Sequence, residues 1–136
     1  MPVETDDELA SILDRSRIAV VGASTSEGKA AHDVPKYLQD QGYEVVPVNP
    51  FAEEVLGETA YDTIEDVPGT VDVVDVFRAS DEALDILEAV LERDDDPVFW
   101  LQLGIENDEA MERAAEAGLT AVQDRCMKVE HERLVA

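Results

Sequence analysis

The sequence predicts an α/β domain on a doubly wound, five-stranded parallel sheet, with helices on both faces in three layers. Three observations predict it. Val/Ile-rich runs alternate with amphipathic helical patterns five times along 136 residues, with short links between them. Such alternation yields parallel strands joined by right-handed crossovers. The length suits one domain, residues 1–136, with a sheet covered on both sides. Finally, Ile18-Ala-Val-Val-Gly-Ala-Ser24 runs an apolar strand straight into a Gly/Ser turn before a helix. There, backbone N–H groups and the helix dipole favour an anion, most commonly phosphate.

The elements follow in order. Asp6-Asp7-Glu8 with Leu9, Ile12 and Leu13 reads as a short amphipathic helix with carboxylates in its first turn. Arg17 introduces the first strand, residues 18–22. After a polar loop to His32, a helix is expected over residues 34–41, with Asp33 as N-cap, Pro35 in its first turn and Gly42 as its stop. The second strand spans residues 43–50, and Pro47 within it implies a lost ladder partner near the strand end. Residues 51–68 form a connector with a turn at Val55-Leu56-Gly57 and one helical turn at 62–67. The third strand is Val71 to Phe77. Ser80 is expected to cap a helix buried through Leu84, Leu87, Val90 and Leu91, and Asp94-Asp95-Asp96-Pro97 breaks it. Val98 to Leu103 is the fourth strand. Asn107 caps a helix stopped by Gly118, Leu119 to Val122 is the fifth strand, and Met127 to Val135 close the chain.

The expected strand order is 3-2-1-4-5, a Rossmann-like arrangement. Ligands then sit past the carboxyl ends of the strands, at the switch between the first and fourth. The polar and glycine-bearing ends there are Gly22-Ala23-Ser24, Val48-Asn49-Pro50, Phe77-Arg78 and Gln102-Leu103-Gly104.

Ten basic residues stand against thirty-three acidic ones, a formal net charge of −23 spread over every segment, and only three of the cations are lysines. This reads as a halophilic surface, adapted to concentrated salt, where dense carboxylates stay hydrated and their repulsion is screened. The field argues against nucleic acid, which requires a basic footprint, and against anionic membranes. One cysteine, Cys126, excludes an intrachain disulfide; with an acidic start and no long apolar run, a cytoplasmic protein is expected.

A dinucleotide fingerprint requires glycines at 22, 24 and 27 and an acid ending the second strand; the chain has Gly22, Ser24, Glu27 and Asn49-Pro50. A standard NAD site is therefore disfavoured. For a phosphate ligand, Lys29 and Arg78 are the candidate cations and Ser24 a candidate donor. Arg78 is equally able to pair with Glu82. Asn49 is read as contacting an adenine or ribose edge or as terminating the strand, and Pro47, Val48 and Pro50 as an apolar wall for a purine or a pantetheine arm. His32 and His131 lack a spaced ligand partner, so no metal is expected. Cys126 is read as an inert thiol, with a mixed disulfide to a bound thiol as the alternative.

Val20-Val-Gly-Ala-Ser24, Val46-Pro-Val-Asn-Pro50, Val73-Val-Asp-Val-Phe-Arg78, Trp100-Leu-Gln-Leu-Gly104, Ala117-Gly-Leu119, Arg125-Cys126 and Glu130-His-Glu-Arg-Leu134 occur in an order that resembles the small stand-alone CoA-binding proteins. These are similar to the nucleotide-binding domain of the succinyl-CoA synthetase alpha subunit. The resemblance implies coenzyme A across the carboxyl edge of the sheet. Its diphosphate would lie at Gly22-Ala23-Ser24 with Lys29, adenosine near Val48-Asn49-Pro50 and Phe77-Arg78, and pantetheine beside Gln102 and Gly104. His32-Asp33 departs from an aromatic-plus-basic pair of some relatives, which removes a phosphate cation. The resemblance implies a binding or regulatory module that takes CoA or an acyl-CoA without catalysis of its own, either sensing the cofactor or serving a protein partner. The alternative is an enzyme: an NAD-type oxidoreductase, or an acyl-CoA-processing subunit that needs a partner chain.

Overall fold

Sheet formation follows from the apolar runs. In the computed structural model, which describes residues 2–135, β1 (Arg17–Val21) pairs in parallel with β2 (Glu44–Val48) and β5 (Val73–Val76). Beyond β5 lie β6 (Val98–Leu101) and β7 (Ala121–Val122), also parallel, giving the order β2-β1-β5-β6-β7. Two-residue strands β3 (Glu54–Val55) and β4 (Glu58–Thr59) form a separate antiparallel hairpin. Leu56 and Gly57 at its tip both have positive φ, 55° and 76°. Only the turn of this hairpin, not its pairing, was signalled by Val55-Leu56-Gly57.

Counting the five sheet strands alone, the order is 2-1-3-4-5 rather than the expected 3-2-1-4-5. Pro47 supplies the reason. It has no N–H to donate, and a strand carrying it belongs at a sheet edge. On the outer side of β2, Pro47 accepts from the Tyr61 N–H at 3.0 Å through its carbonyl, so its backbone polar groups face away from β1. The doubly wound class stands, and the switch point moves to the gap between β1 and β5.

Alternation along the strands divides the core. Ala19, Val21, Val74, Val76, Phe99 and Leu101 pack beneath α3 (Ala83–Leu91) and α4 (Asp108–Glu116). Ile18, Val20, Val73, Val98 and Trp100 pack beneath α1 (Asp6–Leu13), α2 (Ala30–Asp40) and α5 (Met127–Leu134). Thr5 caps α1 by accepting from the Glu8 N–H, and Asn107 caps α4 by accepting from the Ala110 N–H at 2.9 Å.

Two caps differ from expectation. Helix α2 starts at Ala30, so Asp33 lies inside it and Pro35 sits well past its first turn. Proline there leaves the carbonyl four residues earlier without its helical donor. That carbonyl, on Ala31, accepts instead from the Ser24 N–H at 3.0 Å, tying the β1–α2 loop to the helix. Ser80 does not cap α3 through its hydroxyl, which accepts from the Glu106 N–H. A 3-10 turn, Ser80–Glu82, leads into the helix, and the Glu82 carboxylate reaches back to the Ala79 N–H at 3.2 Å.

Asp75 was not anticipated. It lies in the middle of β5, between Val20 and Trp100 in register, fully buried, with neither carboxyl oxygen hydrogen-bonded. Desolvation pushes its pKa well above the usual carboxylate range.

Candidate functional site

The β1/β5 switch point opens into a cleft of about 440 Å³ at the carboxyl edge, within the range of small-molecule sites. Five of the predicted residues, Gly22, Val48, Asn49, Pro50 and Arg78, line it together. The opposite wall comes from the connector after β4 and from the start of α3 with the turn before it: Thr63, Ile64, Glu82, Asp85 and Ile86. Of this wall the sequence reading named only Glu82, as a partner for Arg78, and the structure shows that pair. For the rest, the signal was the amphipathic pattern of α3, whose Ile86 and Ala89 flank the buried stripe.

Gly22 is required by two features at once. Its φ is +89°, and a Cβ there would come within 2.9 Å of Arg78 Cδ and 3.4 Å of the Phe77 carbonyl carbon. Backbone and arginine stem thus meet across the switch point because position 22 has no side chain. Asn49 holds the two neighbouring loops together. Its Nδ2 donates to the Ala23 carbonyl at 2.8 Å, and its Oδ1 accepts from the Phe51 N–H at 2.8 Å. Both ends of this amide are engaged within the protein, which favours the strand-terminating role over base reading. Phe51, beside Pro50 on the rim, is 93% exposed.

The loop after β1 is more self-contained than a bare phosphate cradle. Gly22 N–H donates to the Val48 carbonyl at 2.9 Å and Ser24 N–H to Ala31; Ser26 N–H donates to Ser24 Oγ at 3.0 Å. Asp33 folds back to accept from the Gly28 N–H at 3.2 Å, with His32 Nδ1 at 3.1 Å from the same oxygen. The His32 hydrogen bond, then the Gly28 N–H, hold the Asp33 carboxyl below its ordinary pKa. Among the described residues, the N–H groups of Ala23 and Thr25 have no protein acceptor. These two groups, the Ser24 hydroxyl proton and exposed Lys29 are among the donors this loop offers an anion.

The remaining predicted residues lie elsewhere. Phe77 is half-buried against the α2/α5 side of the core. Gln102 is 3% exposed and its Oε1 accepts from the Met127 N–H at 3.0 Å, fastening α5 to the sheet. Gly104 N–H donates to Asp124 Oδ1 at 2.8 Å, and neither residue lines the cleft. Cys126 is half-buried at the N-terminus of α5. His131 Nδ1 pairs with the Tyr37 hydroxyl at 2.7 Å. Among the described residues no group of three or more His, Cys, Asp or Glu is arranged for a metal, and no helix is long and apolar enough to cross a membrane.

A family model for the CoA binding domain matches residues 16–132. The chain belongs to that family. Uncharacterized protein YneT of Bacillus subtilis is 45% identical over 125 residues, 91% of this chain and 92% of that one. The solved structure of a hypothetical protein from Pyrococcus horikoshii superposes with a TM-score of 0.93 at 41% identity, covering 100% of this chain and 97% of that one. An ADP-forming acetate–CoA ligase of Methanocaldococcus jannaschii is 34% identical over 68 residues, 50% of this chain but 10% of the ligase. The CoA binding domain of this chain is therefore related both to small proteins of similar length and to one segment of a much larger ligase.

Proposed function

We propose that this protein binds coenzyme A, or an acyl-CoA, across the carboxyl edge of the sheet, as a binding or regulatory module without catalysis of its own. The observation that supports it is the meeting of Gly22, Asn49, Pro50 and Arg78 in one cleft of a CoA binding domain. Adenosine would occupy the cleft against Pro50 and Ile86. The diphosphate would lie by the Ala23 and Thr25 N–H groups, the Ser24 hydroxyl and Lys29, with Arg78 as the second cation. When bound, the cofactor supplies a thiol or thioester, and the chain's own groups only hold and orient it. An NAD-type oxidoreductase is not favoured, since Ser24 and Glu27 stand where that fingerprint requires glycines. The likeness to a ligase segment supports a second reading, a subunit handing an acyl-CoA to a partner chain in the cytoplasm.

The test is thermal unfolding in molar potassium chloride with CoA, acetyl-CoA, NAD or ATP in excess. A ligand that binds only the folded state stabilises it by about 2.7 kcal/mol at a hundredfold excess over Kd. The expected result is a rise in Tm with CoA or acetyl-CoA, absent with NAD and abolished by Gly22→Glu. A shift with NAD alone, or with none of the four, overturns the reading.

A further inference from the structure

The cleft that would receive an anion is itself lined by four carboxylates, Asp62, Glu65, Glu82 and Asp85, against one cation, Arg78. That cation is already paired along one edge. Arg78 Nη2 donates to Glu82 Oε1 at 3.0 Å and its Nε to the same oxygen at 3.3 Å. The arginine stem lies against the Gly22 backbone, with Cγ and Cδ at 3.3 and 2.9 Å from where a Cβ would be. The second carboxylate oxygen of Glu82 accepts from the Ala79 N–H, which fixes the glutamate on the turn before α3. Both side chains remain about half exposed, 51% and 43%, so water and solutes reach the pair.

We infer that Glu82 is an internal competitor for the guest's phosphate: it holds Arg78 across Gly22, and a phosphate ligand must take the guanidinium from it. Glu82 is thereby a positioning residue that sets the affinity of the cleft for anions through Arg78. The physical argument is exchange. The Nε/Nη2 edge of a guanidinium serves one carboxylate or one phosphate at a time, so an anion that approaches on that edge gains only the difference between the two partners. Removing the competing charge while keeping an acceptor for the Ala79 N–H frees the arginine without dismantling the turn. Glutamine does that. The inference rests on the proposed reading in taking a phosphate-bearing ligand as the guest, and its test is built to fail separately from that reading.

The experiment is calorimetric titration of inorganic pyrophosphate and of CoA into the wild type, E82Q, R78A and the R78A/E82Q double variant, at one fixed potassium chloride concentration. D85N serves as a control that removes the same charge from the same cleft without touching Arg78. The expected result is that E82Q binds pyrophosphate about two- to fivefold tighter than wild type, the scale of a half-exposed ion pair. D85N should gain less. In the R78A background the E82Q substitution should yield no more than D85N does. Equal or weaker pyrophosphate binding by E82Q overturns the inference, as does a gain that survives in R78A, which would be bulk charge alone. If pyrophosphate responds as expected while CoA binds none of the chains, the competitor stands and CoA as the ligand falls. If CoA binds wild type and E82Q alike and pyrophosphate shows no gain, the ligand stands and the competitor falls.

Discussion

Asp75 offers the sharpest test of the physics of this chain. Its carboxyl is 0% exposed, faces the apolar side of the sheet that carries Val20 and Trp100, and has no hydrogen-bond partner for either oxygen. Burial raises its pKa in the folded state, so between the unfolded and the folded pKa the folded chain keeps a proton there that the unfolded chain releases. Stability is then highest below the unfolded carboxyl pKa and is lost as pH rises from there towards the folded pKa. The loss is about 1.4 kcal/mol per pH unit while only the folded state holds the proton. Asp75→Asn removes the titration but keeps polar atoms in place. Its stability advantage over wild type should therefore grow at about that rate with pH, from near zero at about pH 4. Asp75→Val should show the same slope plus an offset of about 1–3 kcal/mol, because it also removes the unpaired oxygens from a valine-rich strand. The assay is urea unfolding at constant molar potassium chloride across that pH range. The other 32 of the 33 acidic residues are common to all three chains, so their repulsion cancels in the differences. Parallel stability curves for wild type and Asp75→Asn would refute the reasoning, because they would mean that Asp75 titrates alike in both states.

Two further predictions follow from the cleft and the charge. Asn49→Ala should cost about 1–3 kcal/mol by chemical unfolding, since it leaves the Ala23 carbonyl and the Phe51 N–H without their partner, and it should reduce the Tm rise produced by CoA; unchanged stability would show that the two loops do not depend on the amide. CoA affinity measured by calorimetry should improve from low to molar potassium chloride, as salt screens the −23 field against an anionic ligand. Affinity that falls steadily over that range, with the fold intact, would contradict it.

The class of fold was legible in the sequence because its signals are local. Apolar runs, the Asn107 cap and the Gly118 stop each declare themselves within a few residues. Strand order was not local, yet Pro47 already carried the information that β2 is an edge strand. The error lay in reading that proline as fraying of a central strand. The β1 side of the cleft was legible for the same reason as the strands, since Gly22, Asn49 and Arg78 sit at strand ends. The α3 side was legible only in part: Glu82 was readable as a partner for Arg78, but Asp85 looks like one more carboxylate in a chain that has thirty-three acidic residues. Asp75 was hidden in the same crowd, although an acid flanked by Val73, Val74, Val76 and Phe77 in a doubly covered strand is the pattern that should stand out. Gln102 has a role that its strand-end position does not announce: its Oε1 accepts from the Met127 N–H and fastens α5 to the sheet.

The proline inside α2 has a consequence for anyone who would transplant the loop after β1. Its shape is not written in residues 22–29 alone, because Ser24 is anchored to a carbonyl that only Pro35 leaves free. Grafted onto a scaffold whose helix lacks that proline, the same loop sequence would meet an Ala31 equivalent already spoken for. The portable unit is the loop with its helix through Pro35, and a library that varies the loop while holding that one distant position would keep its anchor.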